Sequence, residues 1–318
     1  MKTLISKTKN RIQFIGRYVR KSDKTLSQIQ QDRLAQLRKE GYVIIENGIE
    51  KSRLDVLQSI FRNQIEVECE FEKPCLAQTK IVESKHKSLI ENYFKYSPSQ
   101  MKEFGITFDQ SDIKSYHQIL EEFAPSNLKV FLPKDPNFIQ TWLDGQILEL
   151  IEQYMGVRPY LAEAYLRRNF PAKYRVMNHF WHRDRNHPDH LLKAFFFLTN
   201  CEIENGPHEY IAGSVVDRQL DGKPYFSDEE VDTIYPENSG KRIKSIVKAG
   251  TVILEDTRGL HRANLPTKGF RDLGFAVFIP KPFYSKWESK YYNIPKYTFN
   301  YLSDRQKAYI PKPFIQED

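Results

Sequence analysis

Cysteine is scarce: a chain of 318 residues carries three, Cys69, Cys75 and Cys201, at no metal-binding spacing. A disulfide framework is therefore not expected, the thiols read as packing residues, and with no apolar leader the composition points to a reducing cytoplasm. Long apolar runs are missing too. None approaches the roughly 20 residues that cross a bilayer, so no transmembrane segment is expected. Zinc-finger, Gly-rich phosphate-binding and RNA-binding signatures are absent, which argues against a nucleic-acid partner. The chain also lacks an internal repeat and any Gly/Ser/Pro-rich linker. With 40% hydrophobic residues, it reads as one large β-rich domain with helical additions rather than two ordinary domains.

Charge is uneven. The net charge is +7, and in residues 1–25 Lys2, Lys7, Lys9, Arg11, Arg17, Arg20, Lys21 and Lys24 are offset only by Asp23. The plain reading is a solvated arm. Ile5, Ile12, Phe14, Ile15, Tyr18 and Val19 also permit a basic amphipathic helix in weak contact with an anionic surface.

From residue 26 to 155 the pattern is mainly helical. Apolar spacing predicts helices over 26–39, 52–65, 86–95, 111–123 and 138–155, with a strand at 42–45. After Gly156 it changes to short apolar strands separated by turns: 158–169, 174–182, 191–199, 207–212, 243–247, 251–255 and 271–279. Such a series implies a mainly β, α+β fold: a jelly roll (double-stranded β-helix) over about 156–285, with N-terminal helices packed on one sheet. Residues 286–318 form a C-terminal extension. Between Ser214 and Lys244 lies an acidic insertion with few apolar anchors, expected to be a mobile lid.

The chemistry concentrates in His179-Phe180-Trp181-His182-Arg183-Asp184. On a strand, residues i and i+2 share a face, so His182 and Asp184 could grip one metal ion together. His261 is the candidate distal ligand, and two His with one carboxylate make the facial triad of non-haem Fe(II) oxygenases, with open positions for other ligands. Ten residues after His261, Arg271 enters an apolar strand, where a guanidinium needs a carboxylate partner. Arg167, Arg168, Arg258 and Arg262 are its rivals. His179 is expected to be structural, and His187 and His190 lie on a loop. Trp181 and Phe195-Phe196-Phe197 are expected to wall the site against water.

This order of motifs, His-x-Asp, a distal His, then Arg ten residues on, resembles the phytanoyl-CoA dioxygenase-like family of Fe(II)/2-oxoglutarate-dependent dioxygenases. Residues 40–49, Glu-Gly-Tyr-Val-Ile-Ile-Glu-Asn-Gly-Ile, look like the family's opening strand. The stretch 205–214 resembles its Asn-Gly-Pro turn and Pro-Gly-Ser-His corner, with Ala212 and Val215 replacing the Pro and final His. The resemblance implies that His182, Asp184 and His261 hold Fe(II) and are the catalytic centre. It implies that Arg271 anchors 2-oxoglutarate, with Asn178 a second contact, and that O2 is the other cosubstrate. It further implies that Asp256 and Asn264 support the turn and orient the His261 ring. Related halogenases have a small residue in place of the carboxylate, so Asp184 favours hydroxylation, desaturation or ring closure of a small organic substrate, with release of succinate and CO2. From the residues alone, a non-enzymatic jelly-roll binding protein and a metal-dependent hydrolase stay open.

Overall fold

The computed structural model describes residues 26–65, 69–71, 127–131, 135–169, 171, 177–185, 190–280 and 293–316. The basic arm and the helices expected at 86–95 and 111–123 lie outside these residues, as do Cys75 and His187.

The first helix, α1 (Gln28–Glu40), starts where the Ser27 hydroxyl accepts from the Gln30 amide, and stops at Gly41 in the left-handed region, φ 81°. Gly41 is required twice over. A side chain there would be strained, and its Cβ would meet the ring and hydroxyl of Tyr210. Strand β1 (Tyr42–Ile45) follows, then α2 (Lys51–Ile65). The single helix expected over 138–155 is two, α3 (Pro136–Trp142) and α4 (Gly145–Met155). Asp144 divides them because its carboxylate accepts from the amides of Gln146 and Ile147 (2.9 and 3.4 Å), a cap that only a new helix start can use.

Among the described residues the main sheet has seven strands. To β1 are added β2 (Cys69–Phe71), β3 (Asn127–Phe131), β4 (Tyr160–Asn169), β5 (Leu192–Phe197), β8 (Val252–Glu255) and β10 (Arg271–Ile279), in the order β1-β8-β5-β10-β4-β3-β2. Every pairing in it is antiparallel. A second sheet has three strands, in the order β7 (Arg242–Lys244), β6 (His208–Ile211) and β9 (His261–Ala263). This is the expected jelly roll.

One face of the main sheet carries the helices. Leu37, Leu57, Phe61, Phe138, Trp142, Leu148 and Ile151 form one core with Ala164, Leu166, Ala194, Phe196, Leu254 and Phe278. Trp142 stacks on Phe196 at 4.7 Å, and its indole N–H donates to the Phe275 carbonyl, 3.0 Å. Gly274 makes that approach feasible, since a Cβ there would strike the Trp142 ring. Residues from the C-terminal stretch, Ile294, Leu302, Tyr309 and Phe314, enter the same core. Among the described residues no helix is long and apolar enough to cross a membrane.

One expectation fails: residues 177–179 form a 3-10 turn rather than strand. The acidic insertion reaches the cavity through Tyr225 and is better anchored than its composition suggests: α5 (Asp228–Ile234) starts on a Ser227–Glu230 capping box. Phe226, Val231 and Tyr235 are buried with Trp181, Ile211 and Leu260 in a cluster of their own. Three spaced apolar residues anchor the segment, and its exposed residues fall mainly in 216–224 and 232–241.

Candidate metal and cosubstrate site

His182 stands opposite His261 in an isolated antiparallel bridge. Its amide donates to the His261 carbonyl (2.9 Å) and its carbonyl accepts from the His261 amide (3.0 Å); two residues on, the Asp184 amide donates to Thr257 O, 2.8 Å. The backbone is thus extended through residues 182–184 and alternates against the 257–261 segment, so the i, i+2 relation holds without a regular strand. Arg183 points the other way. Its guanidinium donates to the carbonyls of Leu220, Ser214, Arg258 and Asp217, which clamps this turn to the loop after β6.

Ligand atoms of His182, Asp184 and His261 all lie within 4.8 Å of one another. Asp184 Oδ1 is 4.0 Å from His182 Nε2 and Oδ2 is 3.7 Å from His261 Nε2. Each imidazole is oriented by a backbone carbonyl: Phe180 O takes His182 Nδ1 at 2.8 Å and Gly259 O takes His261 Nδ1 at 3.0 Å. With the proton on Nδ1, both Nε2 lone pairs face the same point. Burial pushes both rings below the ordinary histidine range, against the pull of Asp184. Burial alone would raise the Asp184 carboxyl; Lys193, His261 and His182 overcome it and hold the group well below the usual carboxylate range. Two neutral imidazoles and an anionic carboxylate are the donor set a divalent iron requires.

The triad opens into a cavity of about 290 Å³. Its walls include Asn178, Tyr225, Phe195 and Phe275, and four further charged or polar groups: Glu163, Arg167, Lys193 and His208. Lys193 Nζ lies 2.5 Å from Asp184 Oδ2. His208 Nε2 meets Glu255 Oε1 at 2.9 Å. Burial drives the histidine down and the carboxyl up, leaving a hydrogen bond between uncharged groups.

Among the candidate arginines, Arg168 is committed to Asp272, Arg258 to Asp256 and Arg262 to Glu209. Arg271 is buried at the start of β10. It donates to the Gly206 carbonyl and approaches Cys201 Sγ at 3.9 Å, and its Nε has no partner. Arg167 lines the cavity beside the stacked rings of Tyr165 and Phe275, 6.0 and 5.8 Å from their centroids, with its Nε also unpartnered. Burial disfavours the charged form of Arg271 against the pull of Cys201, and the Arg167 guanidinium adds a smaller push in the same direction. Among the described residues neither has an ion-pair partner, so this corner of the fold is short of one anionic group.

Other expectations need correction. Asp256 and Asn264 do not touch the His261 ring. Asp256 holds Arg258 and Tyr154 (2.6 Å from the hydroxyl), and Asn264 donates to Pro207 O at 2.8 Å; both brace the turn whose Gly259 carbonyl does the orienting. Trp181 does not wall the cavity but lies in the cluster under α5, with Arg262 over its ring. Phe196 faces the helices. His179 is buried, and His190 is not on the lining. Lys193, His208, Glu255, Tyr225 and Arg183 were missed. A charged residue two before Phe195 on an alternating strand was the available signal for Lys193; His208 and Glu255 had none.

The sequence pattern of the phytanoyl-CoA dioxygenase (PhyH) family matches residues 37–271. Among solved structures, the non-heme alpha ketoglutarate dependent epimerase SnoN from nogalamycin biosynthesis is similar over 79% of this chain and 83% of its own, with TM-score 0.51 and 13% identity. EctD from S. alaskensis, solved with 2-oxoglutarate and 5-hydroxyectoine, is similar over 82% and 79%, with TM-score 0.50 and 16% identity. At such identities the likeness concerns the fold. No curated protein matches the sequence.

Proposed function

The chain belongs to the phytanoyl-CoA dioxygenase family, and from that premise we propose that it hydroxylates, desaturates or cyclises a small organic molecule, with release of succinate and CO2. It is an Fe(II)- and 2-oxoglutarate-dependent oxidoreductase. The observation that carries the site reading is the convergence of His182, Asp184 and His261, their donor atoms within 4.8 Å and both Nδ1 atoms held by carbonyls.

These three residues would hold the iron, which when bound supplies O2 activation coupled to cosubstrate decarboxylation. Each residue has a task that the geometry supports. His182 and His261 present fixed neutral donors, so no rotamer search or proton release delays binding. Asp184 supplies the one negative charge and leaves no room for a halide, which favours oxygen transfer or dehydrogenation. Arg271 and Arg167 would take the distal carboxylate of 2-oxoglutarate, the anion their corner lacks. Asn178, on the lining, would give a further polar contact. Phe195, Phe275 and Tyr225 keep the cavity walls apolar where a reactive oxidant needs no competing water.

A binding-only role and a hydrolase, both open from the residues alone, do not fit a family of oxidoreductases. We also read residues 26–285 as one catalytic domain in the cytoplasm, 286–318 as a C-terminal extension, and the basic residues of 1–25 as a means of weak contact with an anionic surface. Succinate formation from 2-oxoglutarate under air with added Fe(II), lost in His261→Ala, tests the central claim; succinate at the wild-type rate in that variant would refute it.

A further inference from the structure

Of the positions on β5 that face the interior, Phe195 and Phe197 are apolar and Lys193 is charged. Its side chain is 13% exposed. An ammonium so deeply placed persists only where anions or aromatic rings replace its water. Lys193 has both, the Asp184 carboxylate at 2.5 Å and the Phe275 ring centroid at 5.1 Å. The oxygen it holds, Oδ2, is also the one nearest His261 Nε2.

Two cations are thus directed at one carboxylate oxygen: the ammonium, and whatever divalent ion the triad takes. They repel at this range, and burial reduces the screening. With both imidazoles neutral, a divalent ion beside Asp184 and Lys193 leaves an excess of positive charge equal in size to the charge of a dicarboxylate dianion. Arg167 and Arg271 add positive charge at the distal corner, and the lysine supplies the share that lies beside Asp184.

We propose that Lys193 makes metal binding and 2-oxoglutarate binding interdependent, its ammonium serving Asp184 when neither is bound and a carboxylate of the cosubstrate when both are. This rests on the iron and 2-oxoglutarate reading of the site. Lys193 is then a positioning and coupling residue. It weakens the triad's hold on a metal that arrives alone and strengthens it once the dianion is present. By reciprocity the metal tightens the cosubstrate by the same factor.

Calorimetric titration of the chelator-stripped full chain with Ni²⁺, with and without saturating 2-oxoglutarate, tests this without turnover. Lys193→Met keeps the apolar stem and removes the charge. It should bind Ni²⁺ alone about tenfold more tightly than wild type, and the factor by which 2-oxoglutarate tightens Ni²⁺ should fall about tenfold. Lys193→Arg should resemble wild type, and Lys193→Gln replaces the Met variant if that one misfolds. Unchanged or weaker Ni²⁺ binding by the uncharged variant, or an undiminished 2-oxoglutarate effect, overturns the proposal. His261→Ala in the same titration separates the two claims: stoichiometric Ni²⁺ binding there would defeat the site reading itself, whereas loss of binding there with an unaltered Lys193→Met defeats only the coupling.

Discussion

Ala194 and Phe196 turn from β5 toward the helices, where their neighbours are apolar, whereas Lys193 and Phe195 face a cavity that also holds Arg167, His208 and Asp184. The outer face follows the rule that large apolar side chains leave water together. The inner face breaks it with buried charges, and a sequence selected for stability alone would have filled these positions with Leu or Val. The same sheet therefore has a face that holds the fold together and a face that is tolerated because of what it binds. Mutations should sort accordingly.

The largest effect belongs to the inner face. His261→Ala removes one of three donors and the ring whose Nε2 closes on Asp184, so turnover and stoichiometric Fe(II) binding should both be lost. Circular dichroism should show an unchanged fold. Collapse of the fold instead would erase the distinction between the two faces.

On the outer face the expectation reverses. Trp142→Ala empties the space between Phe138 and Phe196 and removes the indole donor to the Phe275 carbonyl. It should cost about 3 to 5 kcal/mol of stability in denaturant titrations, with the KM for 2-oxoglutarate nearly constant. A large rise in KM with little loss of stability would show that the sheet transmits strain between its faces.

The two guanidiniums sharpen the comparison. Arg271→Leu and Arg167→Leu each remove a buried charge that lacks an ion-pair partner among the described residues, so apo stability should hold or rise. Cosubstrate binding should weaken by on the order of 2 to 5 kcal/mol for the principal anchor, with Ni²⁺ binding retained. If neither titration with 2-oxoglutarate changes, the distal carboxylate lies elsewhere.

How far the site was legible follows from which interactions run along the chain and which across it. His182, Asp184 and His261 could be read because a period of two and a fixed order survive even where the strand does not; at 177–179 a 3-10 turn replaced it, yet residues 182 and 184 still alternate. The jelly roll was legible from its short apolar strands. Lys193, His208 and Glu255 come together only through the pairing of β5 with β8 and the closure of the second sheet over the first, and no local pattern encodes that closure. The anchoring of the acidic insertion was hidden for a related reason. Its charges are what composition registers, while Phe226, Val231 and Tyr235 decide its packing by meeting Trp181, Ile211 and Leu260 from distant segments.

The smallest expected effect is a pH dependence confined to the inner face. Burial lowers the pKa of His182, His208 and His261 in the folded chain, so the unfolded chain binds more protons as acid is added. The stability tied to neutral imidazoles is therefore fully present above the unfolded histidine value of about 6.5, and it declines as the pH falls from there toward the lowered folded values. Asp184 adds to the loss only at much lower pH, because its folded pKa is held below the carboxylate range. Melting temperatures of the apo protein should fall between pH 7 and pH 5, less steeply than three histidines alone would give because the raised Glu255 carboxyl takes up its proton in the folded chain and works the other way; saturating Ni²⁺, which requires the neutral rings, should move the decline to lower pH. His182→Asn with His261→Asn should flatten the slope, since two of the three titrating rings are gone, while Trp142→Ala should lower the whole curve without changing its shape. A slope untouched by the double replacement would place the titration outside the cavity.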